Sequence, residues 1–173
     1  MKRAIAALVL AAGAVSAAEP LATVGDVDLA RYAGQWHEVA KYPNRFQQQC
    51  VGDTTATYAL RDDGKVSVVN RCRARDDYEE VSGVARRVDG RTDRLQVSFL
   101  PAALRWLPIG WGDYWVIDLD EAYQLVAVSE PSQEYLWILA RTPQVDPTAY
   151  NALLTRLTQK GFDVSKLELT RQD

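Results

Sequence analysis

Tyr32-Ala-Gly-Gln-Trp-His-Glu-Val-Ala-Lys-Tyr42 is the stretch from which the fold can be read. Gly34 opens a strand-like run two residues before the indole of Trp36, which suggests backbone pressed close beneath a large apolar side chain. Side chains alternate along a strand, so Glu38 shares the inward face of Trp36 and His37 points away. A buried carboxylate must find donors or take up a proton, and Glu38 reads as a structural hydrogen-bonding group. Gly-x-Trp alone is weak evidence. It gains weight from two later stretches, Gly112-Asp-Tyr-Trp-Val-Ile-Asp-Leu-Asp120 and Tyr135-Leu-Trp-Ile-Leu-Ala-Arg141.

Around these lie further β-branched runs. Asp53–Arg61 and Lys65–Cys72 flank Asp62-Asp63-Gly64, a three-residue hairpin with Gly64 left-handed. That loop pairs Tyr58 with Val68, Ala56 with Asn70 and Thr54 with Cys72. Strands are also expected at Glu80–Val88, Arg94–Phe99, Tyr114–Leu119, Tyr123–Val128 and Tyr135–Arg141. With the first run, about Gln35–Tyr42, they make an eight-stranded antiparallel meander. Closing it into an up-and-down barrel removes the edges and leaves room for one small ligand. Asp146 caps a helix with Pro147 at its first position and Gly161 at its end. Tyr150, Leu153, Leu154 and Leu157 form a one-sided stripe that lays this helix against the outside of the sheet. A short last strand is expected within Phe162–Thr170. The fold class is therefore all-β, with one C-terminal helix packed outside the barrel.

The three motifs, in this order, resemble those of the lipocalin family. Gly34-Gln-Trp36 matches the first. Tyr114–Asp120 with Glu121-Ala-Tyr123 matches the second, and Leu136–Arg141 the third. The resemblance covers nearly the whole chain after its leader and is nearest to bacterial lipocalins similar to apolipoprotein D. Tyr58-Ala-Leu-Arg-Asp-Asp-Gly-Lys65, Tyr135–Pro143 and Gly161-Phe-Asp-Val-Ser-Lys166 carry that nearer likeness. It implies that Arg141 lies over Trp36 at the closed end. It also implies a small hydrophobic ligand in the barrel, with fatty acids or lysophospholipids as the class.

Composition narrows the alternatives. With 173 residues the chain holds one domain with a sizeable core. A net charge of -3 with mixed signs offers no basic field for nucleic acid. One histidine, His37, and two cysteines cannot build a zinc site, and no cofactor is expected. Lys2 and Arg3, the apolar run Ala4–Val15 and the small residues Ser16-Ala17-Ala18 read as a secretory signal peptide over 1–18. Cleavage after Ala17 or Ala18 leaves the barrel domain at 19–173. Leu10-Ala-Ala-Gly13 resembles a bacterial lipoprotein signal, but Ala14 stands where the lipidated cysteine belongs. The expected location is the periplasm, with peripheral contact to the outer membrane and pairing with a second copy both left open.

The residues expected to face the ligand are Ala56, Tyr58, Val68, Asn70, Ala85, Phe99, Tyr135 and Trp137, apolar walls with a few polar groups. Cys50 and Cys72 are expected to form a disulfide, an even pair in an oxidising compartment, anchoring the first long loop at the open rim. The alternatives are an enzyme using a Cys72 thiol, which lacks a neighbouring base, and an interaction module of the envelope. Finally, Leu100-Pro-Ala-Ala-Leu-Arg-Trp-Leu-Pro-Ile-Gly-Trp111 belongs at the open end yet is rich in apolar side chains. Leu104, Trp106, Leu107 and Trp111 either touch a membrane or partner subunit at the rim or fold down as a lid.

Overall fold

The computed structural model describes residues 20–75 and 77–173, so the expected signal peptide lies outside the described residues. A short helix α1 (Leu29–Tyr32), capped by the Asp28 carboxylate, leads into strand β1 (Gly34–Lys41). Strands β2 (Gly52–Leu60), β3 (Val66–Arg73), β4 (Tyr78–Val88) and β5 (Arg91–Ser98) follow. After a long link come β6 (Gly112–Leu119), β7 (Leu125–Ser129) and β8 (Leu136–Ala140). Helix α2 (Pro147–Gln159) and a two-residue strand β9 (Glu168–Leu169) complete the chain. Successive strands pair antiparallel, and β1 pairs with both β8 and β2, so the eight strands close into a barrel. β9 adds to β1 where β2 has diverged from it.

A closed sheet has two faces, and both are buried along part of this barrel. Trp36, Ala56, Tyr58, Val66, Val68, Ala85, Leu95, Val116, Val126, Val128 and Leu139 pack inside. Ile117, Ala127, Leu136, Ile138 and Ala140 instead pack outside, with Leu153, Leu157 and Phe162. This explains why β7 and β8 read as nearly continuous apolar runs. A bulge between Glu38 and Ala40 turns β1 so that Trp36 faces inward and Ala40 joins the outer cluster. Leu153 and Leu157 are fully buried, contributing roughly 1.5–3 kcal/mol each. The Arg156 guanidinium donates twice to the Asp118 carboxylate at 2.8 Å, fixing the helix to the sheet.

The hairpin register holds where the Gly64 turn sets it: Tyr58 pairs with Val68 and Ala56 with Asn70. It does not hold for Thr54 and Cys72. A bulge lies between Gly52 and Thr55, and Asp53 adopts φ 50°, so two residues stand opposite Cys72. The expected loop Asp89–Asp93 contracts to Asp89-Gly90, both at positive φ, and β5 begins at Arg91. Tyr123 is likewise in a turn at φ 57° rather than opening β7.

At the closed end the Arg141 guanidinium lies 4.0 Å over the Trp36 ring. It also donates to the carbonyls of Arg31, Tyr32, Gln35 and Tyr123. Gly34 makes this approach possible. Its φ is 100°, and a Cβ there would meet the guanidinium at 3.2 Å. The segment before α1 runs beneath, where Gly25 N–H donates to Asp93 and Val27 N–H to Thr92.

Trp36→Ala should cost about 3–5 kcal/mol of stability, because a fully buried indole leaves a large void. Arg141→Ala should cost less. The double variant should show a coupling of at least about 0.5 kcal/mol in urea denaturation, whereas additive losses would show that the stack contributes nothing.

Candidate ligand-binding site

The inside of the barrel divides by height. Near the closed end Val27, Leu29, Val66, Leu95 and Val126 fill the space. Above them three tyrosines meet at their hydroxyls: Tyr114 Oη lies 2.7 Å from Tyr32 Oη and 2.9 Å from Tyr58 Oη. They come from β6, α1 and β2. Burial pushes all three phenols up, Tyr58 to about 12.

Toward the mouth the walls become smaller and less covered. Gly83 follows the inward face of Ala85, and the Phe99 ring lies against it; a Cβ on Gly83 would fall 2.7 Å from that ring. Phe99 itself is 38% exposed. On the opposite wall the Tyr135 and Trp137 rings stack with centroids 5.7 Å apart, and Phe46 of the loop after β1 packs on Tyr135 at 5.6 Å. Asn70 stands on β3 one inward step above Val68, its side-chain oxygen buried without a partner among the described residues. Ala56, Tyr58, Val68 and Ala85 belong to the inner cluster and Trp137 packs against it.

One side chain, Gln47, ties the loop between β1 and β2 to both β1 and β8. Gln47 donates to the Glu38 carboxylate at 2.6 Å and accepts from the Trp137 indole at 2.9 Å. The other Glu38 oxygen accepts from Thr170, and Gln172 donates to the carbonyls of Glu38 and Thr54. The end of the chain thus fills the gap where β1 and β2 part. Burial pushes the Glu38 carboxyl above its ordinary value of 4.5, against the opposing pull of Thr170 and Gln47. Gln47 was not legible beforehand, because Gln47-Gln48-Gln49 reads as uniform polar loop.

A disulfide joins Cys50 to Cys72, securing the same loop to β3. Bridged, Cys72 has no thiol to serve as a nucleophile. A recess of about 460 Å³ under this loop is lined by Lys41, Asn44, Arg45, Gln47, Gln48 and Glu168 among others, a polar setting unlike the lumen.

The apolar link between β5 and β6 ends against the outer face of the sheet. Trp111 stacks on Arg86, 3.9 Å from guanidinium to ring, and Arg86 points outward because its neighbour Ala85 points in. Arg105 donates to the Leu100 carbonyl and the Trp111 indole to the Arg105 carbonyl, closing the loop on itself. Leu107 and Trp111 are half-buried there, whereas Leu104, Trp106 and Ile109 are exposed, Trp106 by 78%.

A family model described as a lipocalin-like domain matches residues 27–172. Temperature-induced lipocalin-1 of Arabidopsis thaliana is 38% identical over 152 residues, 86% of this chain and 81% of its own. Outer membrane lipoprotein Blc of Citrobacter freundii is 35% identical over 168 residues, 95% of this chain and 90% of its own. Among solved structures, insecticyanin of Manduca sexta superposes with a TM-score of 0.71 at 20% identity, over 87% of this chain and 84% of its own.

Glu38 gives a pH test with a defined sign. A carboxyl whose folded-state pKa is raised favours the native state when protonated. Stability contributed by Glu38 should therefore fall as pH rises from about 4.5 through the raised folded-state value. Glu38→Gln keeps an acceptor for Gln47 and carries no charge. The gap in urea midpoint should widen in favour of the variant between roughly pH 4 and pH 7, and parallel curves would contradict the assignment.

Proposed function

The chain belongs to the lipocalin family, and on that premise we propose that it binds a lipid with one acyl chain, a fatty acid or lysophospholipid, in the upper half of its barrel. The observation carrying this reading is the asymmetry of the lumen. Its lower half is filled by Val27, Leu29, Val66, Leu95 and Val126, while toward the mouth the walls carry Val68, Ala85, Gly83, Tyr135, Trp137 and the partly exposed Phe99. Apolar walls with a few convergent polar groups suit an amphiphile with its tail inside and its head at the mouth. The protein acts as a carrier or store rather than a catalyst: its cysteines are bridged, and among the described residues the lumen presents no nucleophile beside a base.

The cell envelope is the setting we propose. The basic, apolar and small-residue order of 1–18 suits export, the disulfide suits an oxidising compartment, and relatives such as the Citrobacter protein are named as outer membrane lipoproteins. Ala14 supports a lipid-free, exported form. The rim then serves as the membrane contact. Leu104, Trp106 and Ile109 on one side and Phe46, 55% exposed, on the other stand at the open end, with Arg45 beside Phe46. Indole at a bilayer surface keeps its ring in the apolar layer and its N–H wet.

Replacing Leu104, Trp106 and Leu107 together with serine tests the portal. Uptake of a fluorescent fatty acid from phospholipid vesicles should slow by about tenfold, with uptake of dispersed monomers unchanged. Equal loss from both sources would mark the loop as part of the pocket cover, and no loss from either would remove it from the function. Failure of the unmodified protein to bind any acyl chain would overturn the lipid-carrier reading itself.

A further inference from the structure

The three hydroxyls that meet at Tyr114 leave a donor over. Each phenol carries one proton, and each of the two oxygen–oxygen contacts, at 2.7 and 2.9 Å, uses one. The third proton has no acceptor among the described residues, whichever way the chain of bonds runs. A buried O–H without an acceptor is unfavourable, and three tyrosines converging from α1, β2 and β6 are an expensive way to fill an apolar floor. Phenylalanine would fill it equally well.

A second group points to the same place. Ala56 pairs with Asn70 and Tyr58 with Val68, which puts Asn70 one inward step nearer the mouth than the tyrosine layer on the adjoining wall. Its side-chain oxygen is buried and unpartnered among the described residues. A spare O–H below and a spare amide oxygen above are the complement of a hydroxyl group, which accepts and donates at once.

The charge around the cluster limits the chemistry further. Arg141, the cation that approaches from below, lies over the Trp36 ring, acts on the cluster at Tyr32, and spends its N–H groups on main-chain carbonyls. Glu38, on the same inner face as Trp36, adds negative potential at Tyr58. A carboxylate or phosphate driven to this depth would meet, among the described residues, no cation with N–H groups to spare. The phenols themselves stay protonated, because burial holds each of them above the usual phenol value.

We infer that the layer formed by Tyr32, Tyr58 and Tyr114, with Asn70 above it, is a binding site for an uncharged hydroxyl at the deep end of the bound chain. The preferred ligand is then an acyl chain oxygenated at both ends, its charged head at the mouth and a terminal hydroxyl on the tyrosines. This rests on the lipid-carrier reading and narrows its substrate class.

Hexadecanoic acid and 16-hydroxyhexadecanoic acid differ only in that terminal hydroxyl, so their affinities measured by displacement of a fluorescent fatty acid isolate the site. The unmodified protein should bind the hydroxylated acid at least as tightly as the plain one. The variant with Tyr32→Phe, Tyr58→Phe and Tyr114→Phe together removes every hydroxyl at once, so no orphaned partner remains to disturb the fold. In it the affinity ratio should swing by about tenfold toward hexadecanoic acid. Asn70→Leu, which keeps the size of the side chain, should swing it in the same direction. A ratio that shifts by less than about threefold in the triple variant overturns the inference while leaving lipid binding intact. If neither acid binds the unmodified protein, the carrier reading fails and the hydroxyl site falls with it.

Discussion

One guanidinium holds the closed end together. Arg141 leaves the end of β8, lies over Trp36, and donates to main-chain carbonyls from α1, β1 and the β6–β7 turn. A barrel of eight strands has no reason to be shut at one end unless something crosses it. Here the crossing is made by the segment before α1, and the arginine fastens α1 to the strands on either side. Arginine suits the role because its planar fork can stack and donate in several directions at once, which lysine cannot do. Gly34 supplies the space, and Trp36 the platform.

From that floor upward the side chains that line the lumen change in size. Valines and leucines fill the base, the tyrosine hydroxyls form a polar layer across it, and above them Ala56, Gly83 and Gly112 reduce the walls. The rim is held differently. A disulfide, the single side chain of Gln47 and the strand-like tail around Thr170 secure the loop after β1. These ties are a covalent bridge and polar bonds at a partly exposed edge, whereas the floor is a buried apolar cluster.

Much of this was legible in the sequence because period-2 alternation and turn chemistry are local. Gly64 set the β2–β3 register over Ala56–Leu60, and the Asp146-Pro147 start and Gly161 end bracketed α2. What escaped was decided by packing at a distance. The bulge at Asp53 broke the Thr54–Cys72 pairing, a shift that no local pattern announces. Gln47 could not be told from its two neighbours, since Glu38 and Trp137 choose it only in three dimensions. The outward turn of the β5–β6 link depends on Arg86, whose partner Trp111 is 25 residues away. Tyr32 and Tyr114 stood inside quoted motifs, and alternation with Val116 would have placed Tyr114 inward; their convergence on Tyr58 required the closed barrel.

The central claim is that the ligand occupies the upper lumen and is stopped by the tyrosine layer. Methyl-resolved NMR of the protein titrated with hexadecanoic acid tests it most directly. Resonances of Val68, Val97 and Val128, on the inner wall, should shift with a single saturable profile. Those of Leu153 and Leu157, between helix and sheet, and of Val27 and Leu29, beneath the tyrosines, should stay in place. Shifts confined to Leu104 and Ile109 at the rim, or to the helix side of the sheet, would contradict it.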